Sequence, residues 1–231
     1  MVETDFKMFE KASYDLPDIR PFMELSLRGT KEIEKTYGPV FCTIFIKYAL
    51  WFIDQKTGDK PEEEIKTLEQ LKEFIISVAD KYPTSFCAFT YAQIKTENIL
   101  QGQTGAGTRV ESLRISRNIA KEGDIKLKNF DVDNVMTQIR QTGVSLKIIP
   151  SEMGYKKNED GSVDVMWLKC YLLDGCNLAF EEGILKRPNG GIRCGLAEGL
   201  CNLLKLLTNS EWDYNLLEFN KPYCKHRNYL I

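Results

Sequence analysis

Residues 144–170, VSLKIIPSEMGYKKNEDGSVDVMWLKC, decide the fold. VSLKIIP (144–150) and SVDVMWLKC (162–170) each alternate apolar and polar residues, and NEDG (158–161) between them has turn chemistry. A period of two marks a strand with one buried face, so the pair predicts an antiparallel hairpin. Upstream, Asp131 fits the cap of a helix with Val132, Val135, Met136 and Ile139 on its apolar side, closed at Gly143. Downstream, residues 170–191 are helical in part. A helix beginning near Ile192 then carries Leu196, Leu200, Leu203, Leu204 and Leu207 on one broad face. WDYNLLEF (212–219) and KHRNYLI (225–231) read as two more strands. Helices flanking one antiparallel sheet predict an α+β fold.

The N-terminal region reads as helical. A helix over Phe22 to Tyr37 stops at Gly38-Pro39, and an apolar helix follows over Val40 to Ile53. That run is shorter than the roughly 20 residues of a spanning helix and holds Lys47, so no membrane span is expected. Pro61 suits a first helical position, with Glu62, Glu63 and Glu64 at the positive dipole end; Leu68, Leu71, Ile75, Val78 and Tyr82 share one face of that helix, for core or dimer packing. The aromatic stretch SFCAFTYAQIKTENIL (85–100) opens a second unit, giving a helical region over 1–90 and an α+β domain over 91–231. GQTGAGT (102–108) lacks the Lys-Ser/Thr ending of a P-loop, and Arg114, Arg117 and Lys121 beyond it read as a solvated helix face.

Composition sets the setting. The 231 residues are 43% hydrophobic and 28% charged, with a formal charge of −2, which argues against nucleic acid as the partner. Seven cysteines, an odd number, behind a start without the basic and apolar runs of a signal peptide suit the cytoplasm better than a disulfide framework.

The stretch from about Gly105 to Ile231 resembles the 4-vinyl-reductase-like, hydrocarbon-binding domains that share the fold of the TRAPP trafficking subunits. AGTRVESLRISRN (106–118), the hairpin ending in Cys170, RPNGGIRCGLAEGLCNLLKLL (187–207) and a terminal strand pair bearing Cys224 carry the resemblance. It implies a pocket for a hydrophobic or aromatic small molecule and, as in some members, zinc held by cysteines and a glutamate; iron is the alternative metal for the same cysteines. Those places correspond to Cys170, Cys194, Glu218 and Cys224, with Cys176 as replacement for a cysteine that the family pattern has and this chain lacks.

Spacing qualifies the metal reading. Structural zinc favours close pairs of ligands, and Cys170/Cys176 and Cys194/Cys201 are looser than that. Cys194 and Cys201 project from one helix in nearly one direction but about two turns apart, and Cys201 falls on the leucine face, which makes it core. Cys42 and Cys87 lie in apolar helices and are also expected in the core. For Cys170, Cys176, Cys194 and Cys224, a shared site and separate core thiols remain open. The sole histidine, His226, near the C-terminus, is expected at the surface or as a donor behind a ligand, and no catalytic triad can be built without it. Three readings follow: a ligand-binding or sensory protein, a TRAPP-like homodimeric scaffold, and a cysteine-dependent reductase or hydrolase.

Overall fold

Alternation is strictest in the last two strands of the hairpin sheet, and there it sets the architecture. In the computed structural model, which describes residues 5–101, 113, 116, 117, 131–187, 189–219 and 223–231, strand β5 (Tyr223–Leu230) buries Cys224, His226 and Asn228. It lies between β3 (Val163–Leu168) and β4 (Trp212–Glu218). With β1 (Lys7–Met8) and β2 (Glu152–Lys157) these form a five-stranded antiparallel sheet, ordered β1-β2-β3-β5-β4. The expected α+β class, with helices beside one antiparallel sheet, is what the chain adopts.

The chain divides into two discontinuous compact units rather than two consecutive ones. One takes residues 1–17, 112–170 and 191–231; the other takes 18–111 and 171–190. The sheet unit contains all five strands together with α5 (Val132–Ser145) and α7 (Gly195–Thr208). Asp131 caps α5 as expected, accepting from the backbone N–H groups of Asp133 and Asn134. Gly143 does not close that helix. It is an interior residue where a Cβ would sit 2.5 Å from Ile149 Cδ1, so it lets the following turn fold back against the helix.

That fold-back corrects the first predicted strand. VSLKIIP finishes α5 and turns, sending Ile148 and Ile149 into the core, while the strand itself is EMGYKK (152–157). Arg140, 5% exposed, stitches this turn to the N-terminal segment by donating to Pro150 O (2.8 Å), Ser151 O (2.6 Å) and Glu10 O (3.0 Å). α5 lies over β2, where Tyr155 Oη donates to Asp133. α7 lies over β4 and β5, where Asn228 Nδ2 donates to Cys201 Sγ at 2.8 Å. Both helices cover the same face of the sheet, because Tyr155 and Asn228 occupy equivalent alternating positions across β2, β3 and β5.

The other unit is helical: α1 (Ile19–Tyr37), α2 (Pro39–Thr57), α3 (Leu68–Ser77), α4 (Cys87–Gln101) and α6 (Leu173–Glu181). α1 begins three residues before the expected Phe22, because Asp18 accepts from the Arg20 N–H and Pro21 sits in the first turn, where a missing N–H costs nothing. α2 and α4 form the core. Phe45 meets Phe89 edge-on at 5.0 Å and Phe52 lies 5.5 Å from Tyr91, with Phe41, Phe45 and Phe52 fully buried. Each such ring contributes about 1.5–3 kcal/mol by leaving water. α6 closes against α4 at Gly175, where a Cβ would stand 2.8 Å from Cys87 O. Among the described residues no helix is long and apolar enough to cross a membrane.

α3 starts later than Pro61. A capping box, in which Thr67 and Gln70 bond each other's backbone, fixes its first turn, leaving Pro61 and the three glutamates in a loop. The predicted stripe nevertheless runs true through Leu68, Leu71, Ile75 and Val78, all buried. The glycine loop 102–108, Arg114 and Lys121 lie outside the described residues; Arg117 is exposed.

Candidate functional site

The inner, helix-covered face of the sheet gathers the chemistry. Register pairs Val165 with His226, Trp167 with Cys224, and Tyr214 with Asn228, so all six side chains share that face. His226 is 0% exposed, which corrects the expectation of a surface residue: alternation along β5, not closeness to the C-terminus, determines its burial. Trp167 Nε1–H donates to His226 Nε2 at 2.7 Å, and the rings stack with centroids 6.1 Å apart. The ring of Tyr214 stands edge-on to the imidazole at 6.4 Å.

An accepting Nε2 places the neutral ring's proton on Nδ1. Burial pushes the imidazole down to about 4 and keeps it neutral, with Asn228 and Asp164 pulling the other way. Asn228, also 0% exposed, donates from its amide Nδ2 to Cys201 Sγ. His226 Nδ1 and Asn228 Oδ1 are close enough to influence each other, yet among the described residues neither meets hydrogen-bond geometry with a partner. A chain of polar groups therefore runs Trp167, His226, Asn228, Cys201, with its middle link open.

The cysteines separate by element. Cys201 and Cys224 are buried on the inner face, Cys42 and Cys87 are in the helical core as expected, and Cys170, Cys176 and Cys194 are half-buried. Cys194 caps α7, its backbone N–H donating to Tyr214 Oη at 3.0 Å. Burial pushes its thiol up to about 12. The Leu196 and Ala197 N–H groups pull against this, and the neighbouring Cys224 adds to the rise. A thiol held protonated is a poor nucleophile.

Of the five residues expected to hold a metal, the sheet unit brings Cys194 and Cys224 near one another. Cys170 follows β3 in the same unit, and Cys176 lies on α6 in the helical unit. Glu218 pairs with Lys225 across a bulge, which puts it on the outer face, away from Cys224. Among the described residues no group of three or more His, Cys, Asp or Glu side chains is placed to hold a metal ion.

The outer face carries a separate charged network. Asp164, 4% exposed, accepts from Arg227 Nε (2.6 Å) and Nη2 (2.9 Å) and from Asn158 Nδ2 (3.1 Å). Burial alone would raise this carboxyl, but Arg227 and Asn158 outweigh it and hold it below the usual carboxylate range. The sequence had no pointer to Trp167, Tyr214 or Asn228 as a group. The signal available was their shared parity once the strands are aligned. A scan against protein-family models matches none, and searches of the curated proteins and of the solved structures return no match for this chain.

Proposed function

We propose that the sheet unit binds a small aromatic molecule at the inner face of its sheet and that the protein acts as a cytoplasmic ligand-binding or sensory protein. The observation that carries this is the pair of buried polar atoms, His226 Nδ1 and Asn228 Oδ1, without hydrogen-bond partners among the described residues, beside Trp167 and Tyr214. Small-molecule sites are mostly apolar and aromatic, with a few placed polar groups. A buried polar atom without a partner costs about 1–3 kcal/mol. A hydroxyl on an aromatic ring accepts from Nδ1–H and donates to Oδ1, recovering both. The resemblance of residues 105–231 to hydrocarbon-binding domains favours the same ligand class, and an odd count of seven cysteines favours a reducing compartment.

The test is thermal melting with 2-naphthol and naphthalene. At a hundredfold excess over Kd, binding adds about 2.7 kcal/mol, or about 5–10 °C for a chain of this size. 2-Naphthol should raise the melting temperature more than naphthalene does, and His226→Phe should abolish the difference. No shift with either compound, in protein whose organic extract holds no small molecule, removes the reading.

A homodimeric scaffold is the second reading. It is favoured by the outer side of α2, which leaves Val40 58% and Trp51 38% exposed. Sedimentation velocity showing only monomer at high concentration would count against it.

A further inference from the structure

The outer side of α3 carries a groove that neither reading uses. It has a volume of about 670 Å3 and runs between the loop 59–65 and the helix, over an apolar floor of Pro61, Ile65, Phe74 and Val78. Pro61, Ile65 and Phe74 are only half-buried, so apolar surface remains in water there. Around this floor stand six carboxylates, Asp59, Glu62, Glu63, Glu64, Glu69 and Glu73, against the two ammonium groups of Lys60 and Lys81.

Internal pairing neutralises part of the rim. Lys81 holds Asp59 at 2.6 Å, Lys66 holds Glu64 at 3.1 Å, Lys72 holds Glu73 at 3.1 Å, and Lys31 holds Glu69. Lys60 turns toward Asp54 at 3.5 Å. Glu62 and Glu63 are exposed and have no ion-pair partner among the described residues. Three successive glutamates would be stabilised by the dipole of a helix starting at Pro61, but the Thr67 capping box starts the helix at Leu68, seven residues later. Their mutual repulsion is left without that compensation.

The charge excludes nucleic acid, and among the described residues the carboxylates are not gathered to hold a metal ion. Glu69, Glu73 and Ser77 lie along the groove at intervals of four residues, a span of about 12 Å. That is about two turns of a bound helix, or about four residues of an extended chain. We propose that this groove docks a basic amphipathic segment of another protein, with apolar side chains on Ile65 and Phe74 and lysine or arginine side chains against Glu62 and Glu63.

The groove lies wholly in the helical unit, so its test is independent of the small-molecule reading. The probe is a fluorescent peptide of about 14 residues with leucine on one helical face and lysine elsewhere, followed by anisotropy against the full chain. Saturable binding is expected. Glu62→Lys with Glu63→Lys should weaken it about tenfold, Phe74→Ser by a similar factor, and raising salt from about 0.05 M to about 0.5 M should weaken it too. The glutamate variant alters only exposed loop residues, and an unchanged melting temperature certifies its fold. No binding at millimolar peptide, equal binding by the glutamate variant, or equal binding of a peptide with glutamate in place of lysine would overturn the proposal.

Discussion

Replacing His226 by phenylalanine tests whether the inner-face polar chain is a coupled unit. The substitution keeps a ring against Trp167, so the aromatic contact at 6.1 Å, worth about 0.5–1.5 kcal/mol beyond burial, is largely retained. What it removes is the acceptor 2.7 Å from Trp167 Nε1, stranding a buried indole N–H at a cost of about 1–3 kcal/mol. It also deletes the unpartnered Nδ1–H, which returns about 1 kcal/mol. The net loss is about 0–2 kcal/mol, or up to about 8 °C in melting temperature. Urea unfolding followed by circular dichroism would measure it, and Trp167→Phe and the double variant would complete a cycle. Because either single change breaks the same bond, the double variant should lose about 1 kcal/mol less than the two losses added. Additivity within about 0.3 kcal/mol, or a His226→Phe protein more stable than the parent, would refute the reasoning.

Other positions give equally direct outcomes. Arg140→Met removes the donor to Pro150 O and Glu10 O, while Ser151 O keeps its bond from the Ala12 N–H; urea titration should show a loss of about 3 kcal/mol. Asp164 is held low by Arg227, so its stabilisation is fully present above about pH 4 and is lost as the pH falls through the depressed folded-state value. Stability measured across that window should fall more steeply for the parent than for Asp164→Asn. Gly175→Ala forces α6 away from Cys87 O and should cost about 1–3 kcal/mol in thermal unfolding. Thr67→Ala removes half of the capping box and should cost about 1 kcal/mol.

How much of this was readable depended on whether the pattern was local. Val163, Val165 and Trp167 declared β3 because every second residue is needed on a buried face. Leu196, Leu200, Leu203 and Leu204 declared α7 by the same logic at helical period. VSLKIIP misled because the last turn of a helix and a fold-back loop place apolar residues at intervals that mimic a strand. The true strand, EMGYKK, carries charge and a glycine that only the approach of Met8 explains. Gly154 is there because a Cβ would meet the Met8 sulfur, a contact made 146 positions away in the chain. The site was less legible than the fold. Even spacing placed Cys224, His226 and Asn228 together, but a bulge at Leu216/Glu218 reset the parity of β4 and sent Glu218 to the other face. No count of residues between cysteines reveals such a reset.

The claim of an aromatic ligand on the inner face is tested most directly by the indole N–H signals of 15N-labelled protein during titration with 2-naphthol. Trp51, Trp167 and Trp212 give three such signals. The account predicts that the Trp167 signal moves saturably, since its N–H is bonded to His226, while the signal of Trp51 in the helical unit stays fixed. A Trp167 signal that stays in place to the solubility limit of 2-naphthol would contradict it.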